Sequence, residues 1–148
     1  MIKLAISLIV STLLIIACTQ KTIESVETNT LNTANFLGQW KFKSYANRTP
    51  IAYEVSLEFK NEDGKNTLSG RSSVNFYFAP FETNDSEKTM KVGVLGSTKI
   101  AGSPEANQFE SIYYERLRNI TRYEFTNTNT LLLHLSNPAR EVMIFERK

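Results

Sequence analysis

Alternation of apolar and polar side chains is the feature that most constrains the fold of this chain. Residues 53–60 alternate without interruption, and their apolar members are Tyr53, Val55, Leu57 and Phe59. A period of two residues is that of a strand with one buried face and one solvated face. Similar runs recur at 39–45, 67–71, 74–78, 90–94, 122–125, 131–135 and 142–145. About eight strands separated by polar turns predict a mainly β domain.

One segment has a helical period instead. Its apolar residues, spaced to form one face of a helix, are Phe109, Ile112, Tyr113, Leu117 and Ile120. Ser103 and Pro104 precede it and are typical of a helix N-cap and first helical position. We therefore expect a mainly β fold with one helix (α+β). It is either a small antiparallel curled sheet or a partly open barrel of about eight strands, with the helix inserted before the last three.

The expected interior is filled by large side chains. The inward-facing residues that the alternation predicts include Phe59, Phe76, Phe78, Phe109 and Phe125. A ligand cavity requires small inward-facing residues, so this set argues against one, and small barrels are generally filled by their own side chains. Gly64 predicts a tight hairpin turn with a positive φ. Pro80 and residues 82–88 predict an exposed loop, and residues 90–94 predict a strand that ends at Gly96.

The N-terminus has the features of an export signal. Lys3 precedes an apolar run from Leu4 to Ala17, and the next residue, Cys18, is the only cysteine. A charged start, an apolar stretch and a small residue before the cleavage point are typical of a secretory signal peptide. The run is too short to span a bilayer, which takes about 20 apolar residues. Ile15-Ile16-Ala17-Cys18 resembles the lipobox of bacterial lipoproteins, in which the cysteine is acylated and begins the mature protein.

That resemblance implies lipidation of Cys18 and attachment to a membrane through its acyl chains. Thr19 follows the cysteine where an aspartate would resemble an inner-membrane retention signal, so we expect the outer membrane, with the protein facing the periplasm. Residues 18–35 are rich in Thr and Asn and lack aromatic residues, which predicts a flexible tether with a reach of roughly 20–25 Å. An added edge strand is the alternative. We assign 1–17 to the signal peptide, 18–35 to the lipidated cysteine and tether, and 36–148 to the folded domain.

Few residues suggest chemistry. His134 is the only histidine, and it alternates with Leu133 and Leu135, which predicts a solvent-facing or rim position. A metal site needs more His or Cys ligands than the domain offers, and neither a Gly-x-Ser-x-Gly motif nor a phosphate-binding glycine loop is present. The net charge of +2 gives no strong field to attract nucleic acid. We expect no catalytic residue, no cofactor, no metal and no nucleic-acid partner.

Three polar residues are candidates for binding. Asn75 alternates with Val74 and Phe76, and its amide either ties the backbone of a bulge or loop or contacts a ligand. Glu110 is expected on the flank of the helix; if it is buried, it needs a cationic partner such as Arg71, Arg116 or Arg122. We therefore take Asn75, Glu110 and Arg71 as candidate binding residues, with a structural ion pair as the alternative role of Glu110.

Short motifs in a fixed order resemble the META domain (HslJ-like) family. They are Leu37-Gly38-Gln39-Trp40, Leu68-Ser69-Gly70, Asn75-Phe76-Tyr77, Gly96-Ser97-Thr98-Lys99-Ile100-Ala101 and the helix with Glu110 and Leu117. The resemblance implies a small antiparallel β-rich domain, an envelope location, a link to envelope stress and no established catalytic residue. Many members carry one cysteine just before the Asn and another at the turn into the helix. This chain has Val74 and Gly102 there, so a redox role is not carried over.

These observations lead to one expectation and two alternatives. We expect a lipid-anchored, non-enzymatic, monomeric envelope protein that supports envelope integrity or stress tolerance by binding another envelope component. The first alternative is a carrier of a lipid or small apolar ligand. The second is a pilotin-like escort of an outer-membrane protein, since the expected fold also resembles that of the cracked-barrel pilotins. Such an escort needs an exposed apolar groove for its partner.

Overall fold

A computed structural model describes residues 35–47 and 51–148. The signal peptide, Cys18 and nearly all of the tether lie outside these residues. The described elements are β1 (Gly38–Tyr45), β2 (Ser56–Glu62), β3 (Lys65–Arg71), β4 (Phe76–Asn84), β5 (Thr89–Val92), β6 (Gly96–Ser97), α1 (Pro104–Arg118), β7 (Ile120–Asn127), β8 (Thr130–Leu135) and β9 (Val142–Arg147).

The strands form one antiparallel sheet that closes into a barrel. The strand order is β3-β2-β1-β9-β8-β7-β5-β4-β6, and β3 also pairs with β4, which joins the two sides of the sheet. Eight strands make the closed barrel, and β6 is an extra short strand on β4. Helix α1 lies before the last three strands. The predicted mainly β fold with one inserted helix is confirmed, and the barrel is closed rather than partly open.

The β2–β3 hairpin has the predicted turn. Asp63 and Gly64 connect the strands and have φ values of 52° and 77°. Two consecutive positive φ values define a type I′ turn, whose twist matches that of the flanking strands. Glu62 and Lys65 pair directly across its base.

Aromatic side chains fill the end of the barrel at which the described chain begins. The indole nitrogen of the buried Trp40 donates a hydrogen bond to the carbonyl oxygen of Phe36 at 2.8 Å. The ring of Phe36 contacts four other rings at centroid distances of 4.7–5.9 Å, those of Phe59, Phe81, Tyr123 and Phe125. Edge-to-face and tilted ring pairs of this kind add to the free energy gained by burial.

Helix α1 packs on the barrel through Tyr113 and Leu117, which are fully buried. The hydroxyl groups of Tyr113 and Tyr77 lie 2.8 Å apart, and Tyr77 donates to the carbonyl oxygen of Ser56 at 2.8 Å. Burial raises the pKa of both tyrosines well above the usual value, so both hydroxyls stay neutral. At the helix start, Ser103 Oγ accepts a hydrogen bond from the Ala106 amide at 3.3 Å, as predicted for an N-cap.

The predicted phase of β4 is wrong. Phe76 and Phe78 were expected inside, but they are 58% and 63% exposed, whereas the inward residues are Tyr77, Ala79 and Phe81. The reason is Asn75, which is buried and held by hydrogen bonds. Because side chains alternate along a strand, an inward Asn75 turns positions 76 and 78 outward. A run that is apolar on both faces does not itself reveal which face is buried.

Neighbouring strand boundaries also differ from the prediction. Strand β4 continues through Pro80 to Asn84. Residues 82–84 of the expected loop therefore belong to the strand, and the connection to β5 spans residues 85–88. Strand β5 stops at Val92, and Val94, which was expected in the strand, is 88% exposed. Strand β2 begins at Ser56, so Tyr53 precedes it and lies half-buried against the ring of Phe109.

The buried face of α1 is rotated from the predicted one. Ile112 is 37% exposed, and Ile120 lies in β7 because the helix ends at Arg118 with Asn119 as its C-cap. The buried residues of the helix are Ala106, Glu110, Tyr113, Tyr114 and Leu117. Glu110 was expected on the flank. It is buried because it has hydrogen-bond donors on the barrel, and these bring its side of the helix against the strands.

Candidate functional site

A buried polar cluster joins α1 to the connection between β3 and β4. Its members are Ser72, Asn75 and Glu110, the described polar or charged residues that are buried. Polar groups removed from water destabilise a fold unless they are hydrogen-bonded. The cluster therefore depends on its internal hydrogen bonds, and those that Glu110 accepts join residues separated by more than 30 positions in the chain.

Both carboxylate oxygens of Glu110 are occupied. Oε2 accepts from the Asn75 amide nitrogen at 2.9 Å and from the Ser72 hydroxyl, and Oε1 accepts from Asn75 Nδ2 at 2.7 Å. Burial alone would raise the pKa of Glu110, but the hydrogen bonds from Ser72 and Asn75 outweigh it and lower the pKa below its usual value. Glu110 is thus held as a carboxylate by neutral donors.

The side-chain amide of Asn75 uses all of its hydrogen-bonding capacity within the chain. Besides Glu110, Nδ2 donates to the carbonyl oxygen of Ile100 at 3.1 Å. Oδ1 accepts from the Ile100 amide and from Thr98 Oγ1, each at 2.7 Å. Of the two roles considered for Asn75, the structure shows the tie to loop backbone, because the amide fixes residues 98–100 against the start of β4.

Ser72 and Tyr114 extend the cluster. The Ser72 hydroxyl faces two acceptors, Glu110 Oε2 and the carbonyl oxygen of Asn75 at 3.0 Å. It also lies 3.0 Å from the Tyr114 hydroxyl, a contact in which either oxygen can donate. Burial is the main reason that the pKa of Tyr114 is raised. A serine beside a carboxylate resembles a nucleophile and its base, but Ser72 is 0% exposed, so no substrate carbon can approach its oxygen in this conformation.

The third candidate binding residue, Arg71, does not join Glu110. Its guanidinium carbon lies 6.0 Å from the centroid of the Phe76 ring, on the outside of the barrel. Of the other cations considered, Arg116 pairs with Glu141 through hydrogen bonds of 2.7 and 3.1 Å. Glu110 accepts its hydrogen bonds from Ser72 and Asn75, so among the described residues these neutral donors, rather than the expected arginine, accompany the burial of this carboxylate.

Sequence reasoning missed an apolar surface on the outside of β4 and its neighbours. We call Phe76, Phe78, Val94 and Ile100 the outer patch; their side chains are 58%, 63%, 88% and 54% exposed. Contiguous exposed apolar surface commonly marks an interaction site. The signal that could have revealed it was the buried Asn75, since that residue decides the phase of β4.

The polar cluster holds the outer patch in place. The Phe76 amide donates to Thr98 Oγ1 at 3.1 Å, and the Thr98 amide donates to the carbonyl oxygen of Phe76 at 3.0 Å. The ring of Phe78 lies over Gly96, where a Cβ atom would come within 2.6 Å of the ring. Asn75 therefore positions Ile100 beside Phe76, and Gly96 leaves room for Phe78 to lie flat on β6.

His134 and the cleft beside it lie outside the polar cluster and the outer patch. His134 is partly exposed on β8 with Nε2 3.5 Å from Glu124 Oε2, in agreement with the predicted rim position. It borders a surface cleft of about 390 Å³ lined by Asn35, Lys88, Arg122, Tyr123, Glu124, Phe125 and His134.

Within residues 35–47 and 51–148, no group of three or more His, Cys, Asp or Glu side chains is arranged to hold a metal ion. In the same part of the chain, no helix is both long and apolar enough to cross a membrane.

Comparison with known proteins identifies the fold and the family. Curated proteins give no match to this chain. An NMR structure of a protein from Burkholderia xenovorans is similar, with 21% identity and a TM-score of 0.62 over 95% of this chain and 99% of that one. A crystal structure of a DUF4847 family protein from Bacteroides vulgatus has 17% identity and a TM-score of 0.56 over 80% of this chain and 97% of that one. At these identities the two structures support the fold alone.

The family follows from the sequence itself. The META domain family matches residues 28–148, which is most of the chain and includes every described element. The match also covers the residues of the polar cluster and the outer patch. The chain belongs to the META domain family.

Proposed function

We propose that this protein is a non-enzymatic, lipid-anchored component of the bacterial cell envelope that acts by binding another envelope component through the outer patch. Acylated Cys18 attaches it to the outer membrane on the periplasmic side, and its binding supports envelope integrity or stress tolerance. The observation that carries the proposal is the outer patch, in which four large apolar side chains are more than half exposed.

The contrast between the surface and the interior supports this role. The interior is occupied by large, fully buried side chains, among them Trp40, Phe36, Phe59 and Phe145. A carrier needs interior volume for its ligand, and a barrel core packed in this way favours action through the surface. The same apolar surface would serve a pilotin-like escort, whose partner would be an apolar segment of an outer-membrane protein.

The polar cluster supports a binding role over catalysis. Its amide is saturated by groups of the chain itself, and its carboxylate accepts three hydrogen bonds from the same chain. General acid–base chemistry requires such a group to reach a substrate, whereas these groups fix the helix and the loop that carries Ile100. We therefore assign Asn75 and Glu110 to positioning the outer patch.

The proposal can be tested by photocrosslinking in intact cells. A photoreactive phenylalanine analogue replaces Phe78 in the outer patch or, as a matched control, Glu146 on β9, which is opposite β4 in the strand order and whose side chain is 53% exposed. We expect a defined crosslinked product from position 78 and none from position 146. Equal, diffuse labelling from both positions would contradict binding through the outer patch.

The anchor is tested separately. Cys18→Ser removes the acylation site, so we expect the protein to move from the membrane fraction to the soluble fraction, while the wild type remains with the outer membrane. A wild-type protein that is soluble would contradict lipid anchoring and would leave the surface-binding proposal to the crosslinking result.

A further inference from the structure

We propose that the occupant of the outer patch is a bilayer surface with anionic headgroups, on which the domain lies through Phe76, Phe78, Val94 and Ile100. This inference rests on the proposed function, because it names the component that the patch binds. It is drawn from the chemistry of the patch, the hydrogen bonding beneath it and the charges around it.

The side chains of the outer patch offer only hydrocarbon surface. Two phenylalanines, one valine and one isoleucine contain no polar atom beyond the backbone. Protein interfaces typically combine apolar contacts with directed hydrogen bonds, whereas the acyl-chain boundary of a bilayer accepts apolar side chains without them. The composition of the patch therefore suits a lipid surface.

The backbone at Ile100, and where Phe76 pairs with Thr98, has its polar groups satisfied from within. The amide and the carbonyl of Ile100 are both bonded to the side chain of Asn75. The Phe76 amide at the start of β4 donates to Thr98 Oγ1, the Thr98 amide donates to the carbonyl oxygen of Phe76, and the Gly93 amide donates to the carbonyl oxygen of Pro80 at 2.8 Å. Backbone groups that enter an apolar medium must be satisfied internally, and at Ile100 the side chain of Asn75 meets this requirement in place of a strand partner.

Basic residues border the patch. Arg71 pairs across the sheet with Phe76, and Lys99 is exposed next to Ile100. Two carboxylates near the patch each have a cation beside them: Glu82 lies opposite Lys91 across the β4–β5 ladder, and Glu58, in register with Phe78 through Ser69, lies 3.4 Å from Lys60. Cations around an apolar surface are attracted to anionic headgroups, which makes this rim complementary to an anionic bilayer.

The proposed anchor makes docking intramolecular. From the composition of residues 18–35 we predict a flexible tether, and about 16 flexible residues would reach roughly 20–25 Å, which is comparable to the size of a domain of this length. The patch therefore meets the bilayer at a high effective concentration, and four partly exposed side chains are enough for an interaction that would be weak without the anchor.

The test uses the acylated full chain in vesicles of phosphatidylcholine and phosphatidylglycerol whose acyl chains carry bromine. Bromine quenches a tryptophan that it contacts. Phe78→Trp places a reporter in the outer patch, and Glu146→Trp places the matched control at an exposed position of β9. The native Trp40 is 0% exposed inside the barrel and gives both proteins the same background. We expect strong quenching at position 78 and none at position 146.

The charged rim is tested in the same background. Arg71→Gln and Lys99→Gln should each reduce the docked fraction roughly fivefold on anionic vesicles, since each basic residue near an anionic surface contributes about that factor. On vesicles of phosphatidylcholine alone, the same variants should match the parent protein. Equal quenching of all variants on both lipids would contradict the role of the headgroups.

The outcomes separate this inference from the proposed function. Quenching at position 78 alone supports lipid docking. Absence of quenching, combined with a protein crosslink from position 78 in cells, overturns lipid docking and leaves binding through the outer patch in place. Absence of both quenching and crosslinking overturns both proposals.

Discussion

Glu110 shows how one residue determines which part of the helix faces the barrel. A carboxylate in a buried position is destabilising unless donors replace its hydration. Here the donors are the hydroxyl of Ser72 and two nitrogens of Asn75, all neutral. The side chain therefore keeps its charge without a cation and links α1 to the connection between β3 and β4.

We predict that Glu110→Gln destabilises the domain by about 2 kcal/mol at neutral pH, the typical value for hydrogen bonds to a charged acceptor. Because the pKa of Glu110 is lowered in the folded state from its usual 4.5, the stabilisation is present above that value and is lost as pH falls below it. Urea denaturation should show a difference between wild type and variant at pH 7 that shrinks in acid.

Glu115→Gln is the control for that measurement. Glu115 lies on the exposed side of the same helix, so its substitution should change the free energy of unfolding by no more than about 0.5 kcal/mol. A Glu110→Gln variant as stable as this control at pH 7 would show that the buried hydrogen bonds contribute nothing net.

At the scale of elements, β4 marks the limit of what the sequence predicts. The existence of most strands and of α1 followed from periodicity, because periods of two residues and of 3.6 residues are local properties. The phase of β4 did not follow from periodicity, because residues 74–81 offer apolar side chains to both faces. The contact between Asn75 and Glu110, which are 35 positions apart, decides which face of β4 is buried. For the same reason, Asn75 and Glu110 could be nominated from sequence, but their joint role and the outer patch could not.

The phase of β4 can be tested by stability. We predict that Phe78→Ala changes the free energy of unfolding by less than about 0.5 kcal/mol, because its side chain is already exposed to solvent. Phe81→Ala should cost about 3–5 kcal/mol, because it removes a buried ring from the core. Chemical denaturation of both variants is the measurement. A larger loss for Phe78→Ala than for Phe81→Ala would reverse the assignment of faces.

The junction between β4 and α1 permits a second test of the elements. A Cβ atom placed on Gly102 would lie 2.6 Å from Val74 Cγ2, so these two positions, at which many relatives of the family are expected to carry cysteines, are adjacent in space. We predict that Val74→Cys combined with Gly102→Cys forms a disulfide when oxidised and stabilises the domain by about 2–4 kcal/mol. Mass spectrometry and thermal unfolding with and without reductant would detect it.

The single variants are the controls for the disulfide. Neither Val74→Cys nor Gly102→Cys alone can form this intramolecular bridge, so reductant should leave the unfolding temperature of each unchanged. A double variant that keeps two free thiols under oxidising conditions would show that the two positions are farther apart than the structure indicates.

For the whole molecule, closure of the barrel has a consequence for ligand binding. The pairing of β3 with β4 joins the two sides of the sheet, and Phe36 and Trp40 occupy the end where the described chain begins. Helix α1 packs on the barrel through Tyr113 and Leu117. Large side chains thus occupy the interior of the barrel, whereas the outer patch exposes apolar side chains on the outside of β4 and its neighbours.

We therefore predict that native mass spectrometry of the full chain, released from membranes in mild detergent, gives the mass of the polypeptide and its covalent acyl groups alone. Phe36→Ala removes a ring that contacts four others, and it serves as a variant with space to retain a small apolar molecule. An apolar mass that the wild type retains and releases on unfolding would contradict the filled barrel and favour a carrier. A bare wild type beside a loaded Phe36→Ala variant would show that packing, rather than a lack of available ligand, keeps the interior empty of other molecules.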